Sequence, residues 1–241
     1  DTIIPRGDNT FQVGDMIHIV TNKGSIDSLL RYAGKERSRV KNLMIMGGSR
    51  IGQRTARAFQ DSANVKLLEL KKEKSFRIAD ELSNTLVLNA DGKDIEFLKS
   101  EGIKRMDAFI AVTGNTDTNI LSCLLAKRLG VKRTIAEIEN IDYIDLAENM
   151  GVDTIINKKR IAASHIFSYT VGARVEALQY LTGTEAEVME FDVPANAKIT
   201  KKNLNTPNVP QGSLIGGVVR GERSFIATGE TRIQEGDQVV V

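Results

Sequence analysis

The sequence predicts an α/β fold: a Rossmann-like doubly wound parallel sheet followed by a small β-rich α+β domain. Three observations predict it. From Lys41 onward, short apolar runs alternate with helix-length amphipathic segments; a glycine-rich turn follows the first run; and the text after Glu185 changes to short alternating strands with Gly and Pro turns. Strands of four to six residues separated by helix-length connections pair in parallel with right-handed crossovers, because an antiparallel hairpin needs a much shorter link.

The series reads NLMIMG, RIGQRTARAFQ, VKLLEL, EKSFRIADEL, NTLVLN, DIEFLKSEG, MDAFIAV, NTDTNILSCLLAKRLG, KRTIAEI, IDYIDLAENMG and VDTIIN. In the fourth helix, Ile120, Leu121, Leu124, Leu125 and Leu129 have the i, i+4 recurrence of a face packed on the sheet, and Gly130 is placed to end it. Cys123, the only cysteine, lies within this helix with no basic neighbour, so it reads as a helix residue without special chemistry. After Asn157 the segment KKRIAASHIFSYTVGARVEALQYLTG reads as two helices broken near Gly172. EVMEFDV, SLIGGVVRG, SFIATG and QVVV then read as strands of the β-rich domain.

The two chain ends repeat one another. IPRGDNTFQVGDMIHIV, residues 4–20, matches IATGETRIQEGDQVVV, residues 226–241, with Gly7 over Gly229, Phe11 over Ile233, Gly14 over Gly236 and Asp15 over Asp237. Each copy reads as a Gly-Asp turn entering an alternating strand. The predicted division is therefore 1–23, the tail of a preceding β-rich domain; 24–39, a linker helix carrying the basic residues Arg31, Lys35, Arg37 and Arg39; 40–157, a nucleotide-binding domain; 158–183, a helical crossover or hinge; and 184–241, a β-rich domain truncated at its C-terminus. The chain starts with Asp and reads as a fragment.

Composition excludes several function classes. The 33 basic and 31 acidic residues leave a net charge of +2, too balanced for a general nucleic-acid binder. Apolar runs such as residues 108–112 fall far short of the roughly 18 to 20 residues that span a bilayer. With one cysteine there is no intrachain disulfide framework, and cytoplasm is the expected compartment.

The chemistry sits at Gly47, Gly48, Ser49, Arg50, Ile51 and Gly52, which follow LMIM directly and open a helix. In a G-x-G-x-x-G turn the first Gly makes the turn, the second lets a pyrophosphate approach the backbone, and the third lets the helix pack close. Ser49 stands at the middle Gly position, bringing both a side chain and a hydroxyl. Arg50 adds positive charge for a diphosphate or triphosphate. Glu69 ends the second strand 22 positions after Gly47, where a carboxylate accepts both ribose hydroxyls of an adenosine and disfavours the additional phosphate of NADP; Lys71 and Lys72 weaken that exclusion. Loops at the same sheet edge supply Asn89, Ala90 and Asp91, then Thr113, Gly114 and Asn115, then Glu137 and Glu139, a pair whose oxygens suit a hard cation such as Mg²⁺ or Ca²⁺. Only His18 and His165 exist, and neither is in a crevice loop, so the chain lacks the acid-base equipment of a hydride-transfer enzyme.

The runs LMIMGGSRIG, LLEL, VLNADGKD, DAFIAVTGNTDTNILSCLLAKRLGVKRTIAEIEN and GVDTIIN together resemble the RCK (KTN) family, with AVTGNTDTN and LLAKRLGVKR the most specific parts. In that family a nucleotide-binding domain precedes a small β-rich domain, and some members string two such pairs together. The resemblance implies a non-enzymatic, cytoplasmic subunit, peripheral on the inner face of the membrane, that assembles as homo-oligomeric dimers into rings. It would gate a membrane potassium transporter subunit (TrkH/TrkG-like) of a Trk-type uptake system while binding NAD(H) or ATP/ADP. By that likeness the contacts are Gly47, Gly48, Ser49, Arg50, Ile51, Gly52, Glu69, Asp91, Thr113, Gly114 and Glu137. Calcium-gated relatives use a further acid where Leu129 stands here, so no metal is expected. The alternatives are an NAD-dependent oxidoreductase fragment and a regulator of a potassium efflux system.

Overall fold

The computed structural model describes residues 3–5, 8–34, 39–170, 175–180, 186–205, 210 and 212–241. The chain divides into two compact units: residues 38–160, and residues 1–37 together with 161–241. The predicted basic residues Lys35 and Arg37 and the glycine break at Gly172 lie outside the described residues.

In chain order the elements are helix α1 (Ile26–Tyr32), β1 (Asn42–Met46), α2 (Arg50–Phe59), β2 (Asn64–Glu69), α3 (Lys72–Glu81), β3 (Thr85–Asn89), α4 (Ile95–Ser100), β4 (Ala108–Ala111), α5 (Thr116–Arg128), β5 (Arg133–Glu137), α6 (Ile144–Met150), β6 (Thr154–Ile156), α7 (Lys158–Thr170), β7 (Val175–Tyr180), β8 (Glu187–Asp192), β9 (Gly217–Arg220), β10 (Arg223–Ile226) and β11 (Gln238–Val240).

Residues 38–160 form a six-stranded parallel sheet in the order β3-β2-β1-β4-β5-β6, as the alternating text predicts. Successive side chains of a strand face opposite sides of the sheet. Leu43 and Ile45 of β1 join a core with Ala56 of α2 and Ile78 of α3, while Met44 and Met46 join another with Leu98 of α4, Ile120 and Cys123 of α5 and Ala147 of α6. Both faces of the central strands are thus covered, which is why they read as unbroken apolar runs. The strand order reverses direction between β1 and β4, leaving a gap beyond their carboxyl ends.

The packing face of α5 differs from the expected one. Ile120, Cys123 and Ala126 are buried, whereas Leu121 is 60% exposed. Small side chains let the helix approach the sheet closely, and leucines at the flanks only partly cover the core. Burial pushes the Cys123 thiol up to about 12, which makes it a poor nucleophile at neutral pH.

The second unit holds an antiparallel sheet in the order β10-β9-β11-β8-β7 over a core of Val193, Ile215, Val218, Ile233 and Val239. One expectation is corrected here. Of the two helices predicted around Gly172, only α7 forms; the segment 175–180 is β7, hydrogen-bonded to β8. Its Glu, Ala, Leu and Gln favour a helix intrinsically, and pairing with β8 overrides that preference.

The repeat has a structural counterpart. In the first copy the Gln12 N–H donates to Asp15 Oδ2 at 2.8 Å; in the second the Gln234 N–H donates to Asp237 Oδ2 at 2.7 Å. Gly14 and Gly236 both take positive φ, +103° and +80°. The turns match but the following runs do not: Gln238–Val240 is a ladder strand, whereas residues 16–20 form no ladder among the described residues, and Phe11 and Ile17 are exposed where Ile233 and Val239 are buried.

Asp237 is 1% exposed and takes a bidentate pair from Arg220, Nε to Oδ1 at 2.7 Å and a terminal guanidinium nitrogen to Oδ2 at 2.8 Å. Arg220 holds the Asp237 carboxyl below its ordinary 3.8, with the Gln234 N–H helping and burial opposing. A lowered folded-state value means the stabilisation is complete above 3.8 and is lost as pH falls through the lowered value. Asp237→Asn is expected to destabilise the β unit by about 1 to 2 kcal/mol near neutral pH, since the Arg220 side chain left behind is 37% exposed and is solvated in place of the pair. Urea denaturation followed by circular dichroism should show the gap between variant and wild type constant above 3.8 and closing as pH falls through the lowered Asp237 value.

Candidate functional site

The gap between β1 and β4 is a crevice of about 320 Å³. Among the predicted site residues, Gly47, Gly48, Ser49, Glu69, Asp91, Thr113 and Gly114 line it. Arg50, Ile51, Gly52 and Glu137 do not.

The floor is the turn after β1. Gly47 has φ +109°, and a Cβ there would lie 2.8 Å from the Val112 carbonyl oxygen, so both conformation and space demand glycine. The Gly47 N–H donates to the Leu68 carbonyl at 2.8 Å, tying the turn to β2. Ser49 is the N-cap of α2, its Oγ accepting the Gly52 N–H at 3.3 Å. The Ser49 hydroxyl therefore caps the helix as an acceptor, with its proton still free to donate. The N–H groups of Ser49, Arg50 and Ile51 take no partner among the described residues. They are the orphan donors of a helix start, where an anion is favoured. Arg50 and Ile51 thus present backbone donors at the helix start without lining the crevice, and the buried Gly52 belongs to helix packing.

The wall on the β2 side is Glu69, 7% exposed. Its Oε2 accepts the Gly48 N–H at 3.1 Å and the Lys74 ammonium at 2.7 Å, and its Oε1 accepts the Lys71 N–H at 2.9 Å. Burial pushes the carboxyl up, but the Lys74 ammonium and the Lys71 and Gly48 N–H groups outweigh it and hold it below the ordinary glutamate value of 4.5. Glu69 is therefore an ionised acid already holding three donors. Of about four lone-pair positions on a carboxylate, one remains, so it can take one ribose hydroxyl rather than the expected two without displacing a partner. A Cβ on Gly48 would run into Ile78 Cδ1 and lie 2.7 Å from Glu69 Oε2, so this glycine makes room for both side chains.

The wall on the β4 side is built by Asn119, a residue that sequence reasoning did not single out. It is 1% exposed, and its Oδ1 accepts the Thr113 N–H at 3.0 Å and the Thr113 hydroxyl at 2.6 Å. Its Nδ2 donates to the Thr113 carbonyl at 3.1 Å and the Glu137 carbonyl at 2.8 Å. The Thr113 hydroxyl is thus committed to the fold as a donor, leaving Gly114 as the open backbone of this loop. Asn115 caps α5 through the Thr118 N–H at 2.7 Å. On the third side, Asn89 braces the end of β2 by donating to the Glu69 and Leu70 carbonyls, each at 2.9 Å, while Ala90, Asp91 and Lys93 face the crevice.

Glu137 lies elsewhere, 2% exposed at the end of β5. Lys158, the first residue of α7, places its ammonium 2.6 Å from Glu137 Oε1 and 3.1 Å from Glu139 Oε1. The acid pair anticipated as a cation position is bridged by this side chain; Glu137 first and Glu139 next hold the Lys158 ammonium above its ordinary 10.5. Among the described residues no group of three or more His, Cys, Asp or Glu side chains converges as metal ligands, and no helix is long and apolar enough to cross a membrane.

A reversing parallel sheet, a glycine turn feeding orphan N–H groups at a helix start, and an acid at the end of β2 define a domain of Rossmann-like fold, here in one chain with a small antiparallel β unit. Residues 43–158 match the TrkA-N domain and residues 188–241 match the TrkA-C domain. The chain belongs to the TrkA/RCK family. It is 32% identical over 241 residues to the Trk system potassium uptake protein TrkA homolog 1 of Methanosarcina mazei, covering 99% of this chain and 54% of that protein. To the Trk system potassium uptake protein TrkA of Vibrio alginolyticus it is 30% identical over 242 residues, covering 99% and 53%. The chain thus spans about half the length of the curated relatives it matches. Among solved structures, the RCK domain of GsuK matches at a TM-score of 0.56 and 16% identity over 85% of this chain and 45% of that one. The GsuK channel bound to NAD matches at the same score and identity over 85% and 37%; at that identity both likenesses speak to the fold alone.

The Asn119 brace predicts a measurable effect. Asn119→Ala removes four hydrogen bonds and leaves the half-buried Thr113 groups and the buried Glu137 carbonyl without this partner, so stability should fall by about 2 kcal/mol. Hydrogen exchange should accelerate most at residues 113–115; a loss of stability spread evenly over the sheet would contradict the brace.

Proposed function

We propose that this chain is a regulatory, nucleotide-sensing part of a Trk-type potassium uptake system, with NAD(H) or ATP/ADP as the ligand of the crevice. The observation that carries the reading is the set of unpaired N–H groups of Ser49, Arg50 and Ile51 at the start of α2, beside the crevice that the ionised Glu69 lines. Diphosphate charge suits the first and a ribose hydroxyl suits the second. Family membership and the names of the relatives, potassium uptake proteins, supply the biological setting. That GsuK is described bound to NAD is in keeping with a ligand in this kind of fold.

The site residues in this reading are the backbone of Gly47, Gly48, Ser49, Arg50 and Ile51, with Gly52 supporting them, then Glu69, Asp91, Thr113 and Gly114; Glu137 acts from behind the loop through Asn119. The partner is a membrane potassium transporter subunit, approached by dimers assembled into a ring on the cytoplasmic face. Residues 1–23 are the end of a preceding β-rich domain, 40–157 the nucleotide domain, 158–183 the crossover and 184–241 the following β-rich domain. The exposed Phe11 and Ile17 support this division, since their counterparts Ile233 and Val239 are core residues. A nucleotide drives the partner only by binding one arrangement of the assembly better than another.

An oxidoreductase reading has less support. The titratable side chains lining the crevice are Glu69, Lys71, Lys74, Asp91 and Lys93, and no histidine is among them. Calorimetry with NAD⁺, NADH, ADP and ATP tests the proposal: at least one should saturate with a stoichiometry of one. Glu69→Ala should then weaken that ligand about tenfold, the worth of one hydrogen bond to a charged group. Absence of saturable heat with all four, for a folded sample, would end the nucleotide reading.

A further inference from the structure

The acid at the end of β2 is expected to repel a phosphate on the adenosine ribose. Here its surroundings argue the opposite. Glu69 is neutralised by the Lys74 ammonium at 2.7 Å and by two backbone N–H groups, so its charge is answered before any ligand arrives. Three lysines, Lys71, Lys74 and Lys93, line the crevice against two carboxylates, Glu69 and Asp91. Lys93 sits 3.8 Å from Asp91, a loose pair, and the Lys71 ammonium has no carboxylate partner among the described residues.

The placement of these lysines is also wrong for helix stability. Lys71 is the N-cap of α3 and makes no capping bond; Lys72 and Lys74 fall in the first turn, with Glu73 as its one acid. A helix start carries partial positive charge and prefers acids, so lysines gathered there are disfavoured until an anion joins them. Of the three, Lys71 and Lys74 turn to the crevice on the side of Glu69, where the ribose falls in the proposed reading. Lys74 retains two ammonium protons beyond the one given to Glu69, and 33% of its side chain is open to solvent.

We infer that Lys74, assisted by Lys71, is a specificity-determining residue that admits a 2′-phosphorylated adenine dinucleotide, NADP(H), to this crevice alongside NAD(H). Glu69 offers its one remaining lone-pair position to the neighbouring ribose hydroxyl, and the two lysines take the phosphate. The inference rests on the nucleotide reading given above and deepens it.

Calorimetry on the full chain with NAD⁺ and NADP⁺ at matched, low ionic strength tests it. The wild-type dissociation constant for NADP⁺ should lie within tenfold of that for NAD⁺. Lys74→Gln, which keeps an N–H donor for Glu69 but removes the charge, should raise the ratio of the NADP⁺ to the NAD⁺ constant at least fivefold. Lys71→Ala, at a side chain with no ion pair to lose, should raise the same ratio at least twofold and keeps the test open if the first variant fails to fold. NAD⁺ bound with NADP⁺ more than tenfold weaker in the wild type, or a ratio moved by less than these amounts in the folded variants, overturns the inference and leaves the nucleotide reading standing. Saturation with neither dinucleotide overturns the inference; saturation with ADP or ATP in that case preserves the broader reading.

Discussion

The carboxylate of Glu69 is the interaction on which the crevice depends. It gathers the Gly48 N–H from the β1 turn, the Lys71 N–H from the start of α3 and the Lys74 ammonium one turn further on. The turn after β1 and the start of α3, which leave two neighbouring parallel strands, are thereby held at one point. The arrangement bears on two sequence features at once: Gly48 has no side chain where Ile78 and the acid fill the space, and the acid stays ionised despite burial because each donor favours its charged form. It also sets what the site can offer a ligand. A carboxylate with a single free acceptor position and an ammonium beside it is a mixed recognition element, not the bare ribose acid that the motif suggests.

A second constraint stands opposite. The Thr113 loop is held from below by Asn119, whose four hydrogen bonds are all made, and the same amide reaches the Glu137 carbonyl. Glu137 in turn carries the ammonium of Lys158, and Asn157 caps the start of α7 by accepting the Arg160 N–H at 2.9 Å. The crevice loop after β4 and the first turn of α7 are therefore joined through three consecutive polar contacts that run from the half-buried Thr113 through the buried Asn119 and Glu137 to the half-exposed Lys158. Asn119 and Glu137, the two buried members, are costly when unpaired, so each holds its neighbour in place.

Much of this architecture was legible in the text of the chain, for identifiable reasons. Parallel strands covered on both faces must be continuously apolar, and LMIM and AFIAV are; the glycine turn and the acid at the end of β2 are spaced by the fold itself. What escaped depends on partners distant in sequence or on side-chain direction. Lys74 meets Glu69 only because α3 begins where it does. Asn119 looks like an ordinary polar residue of α5 until Thr113 folds over it. The sheet-facing side of α5 uses Cys123 and Ala126 rather than the leucines, since closeness to the sheet outweighed apolar bulk. β7 carries a helical composition that only its pairing with β8 overrules.

The duplicated ends separate local from non-local causes within one molecule. Both Gly-Asp turns close the same way, because positive φ at the glycine and a side-chain oxygen accepting the N–H three residues back are all the turn requires. The strand after the turn is another matter. Gln238–Val240 lies between β8 and β9, and Asp237 is buried under the Arg220 fork reaching across from β9. Asp15 is exposed, and residues 16–20 follow the same alternation without a ladder. A turn signal thus states where a chain reverses, but a strand exists only where neighbours supply donors and acceptors along its edge, and the aspartate becomes a clamp only where an arginine stands opposite to be clamped.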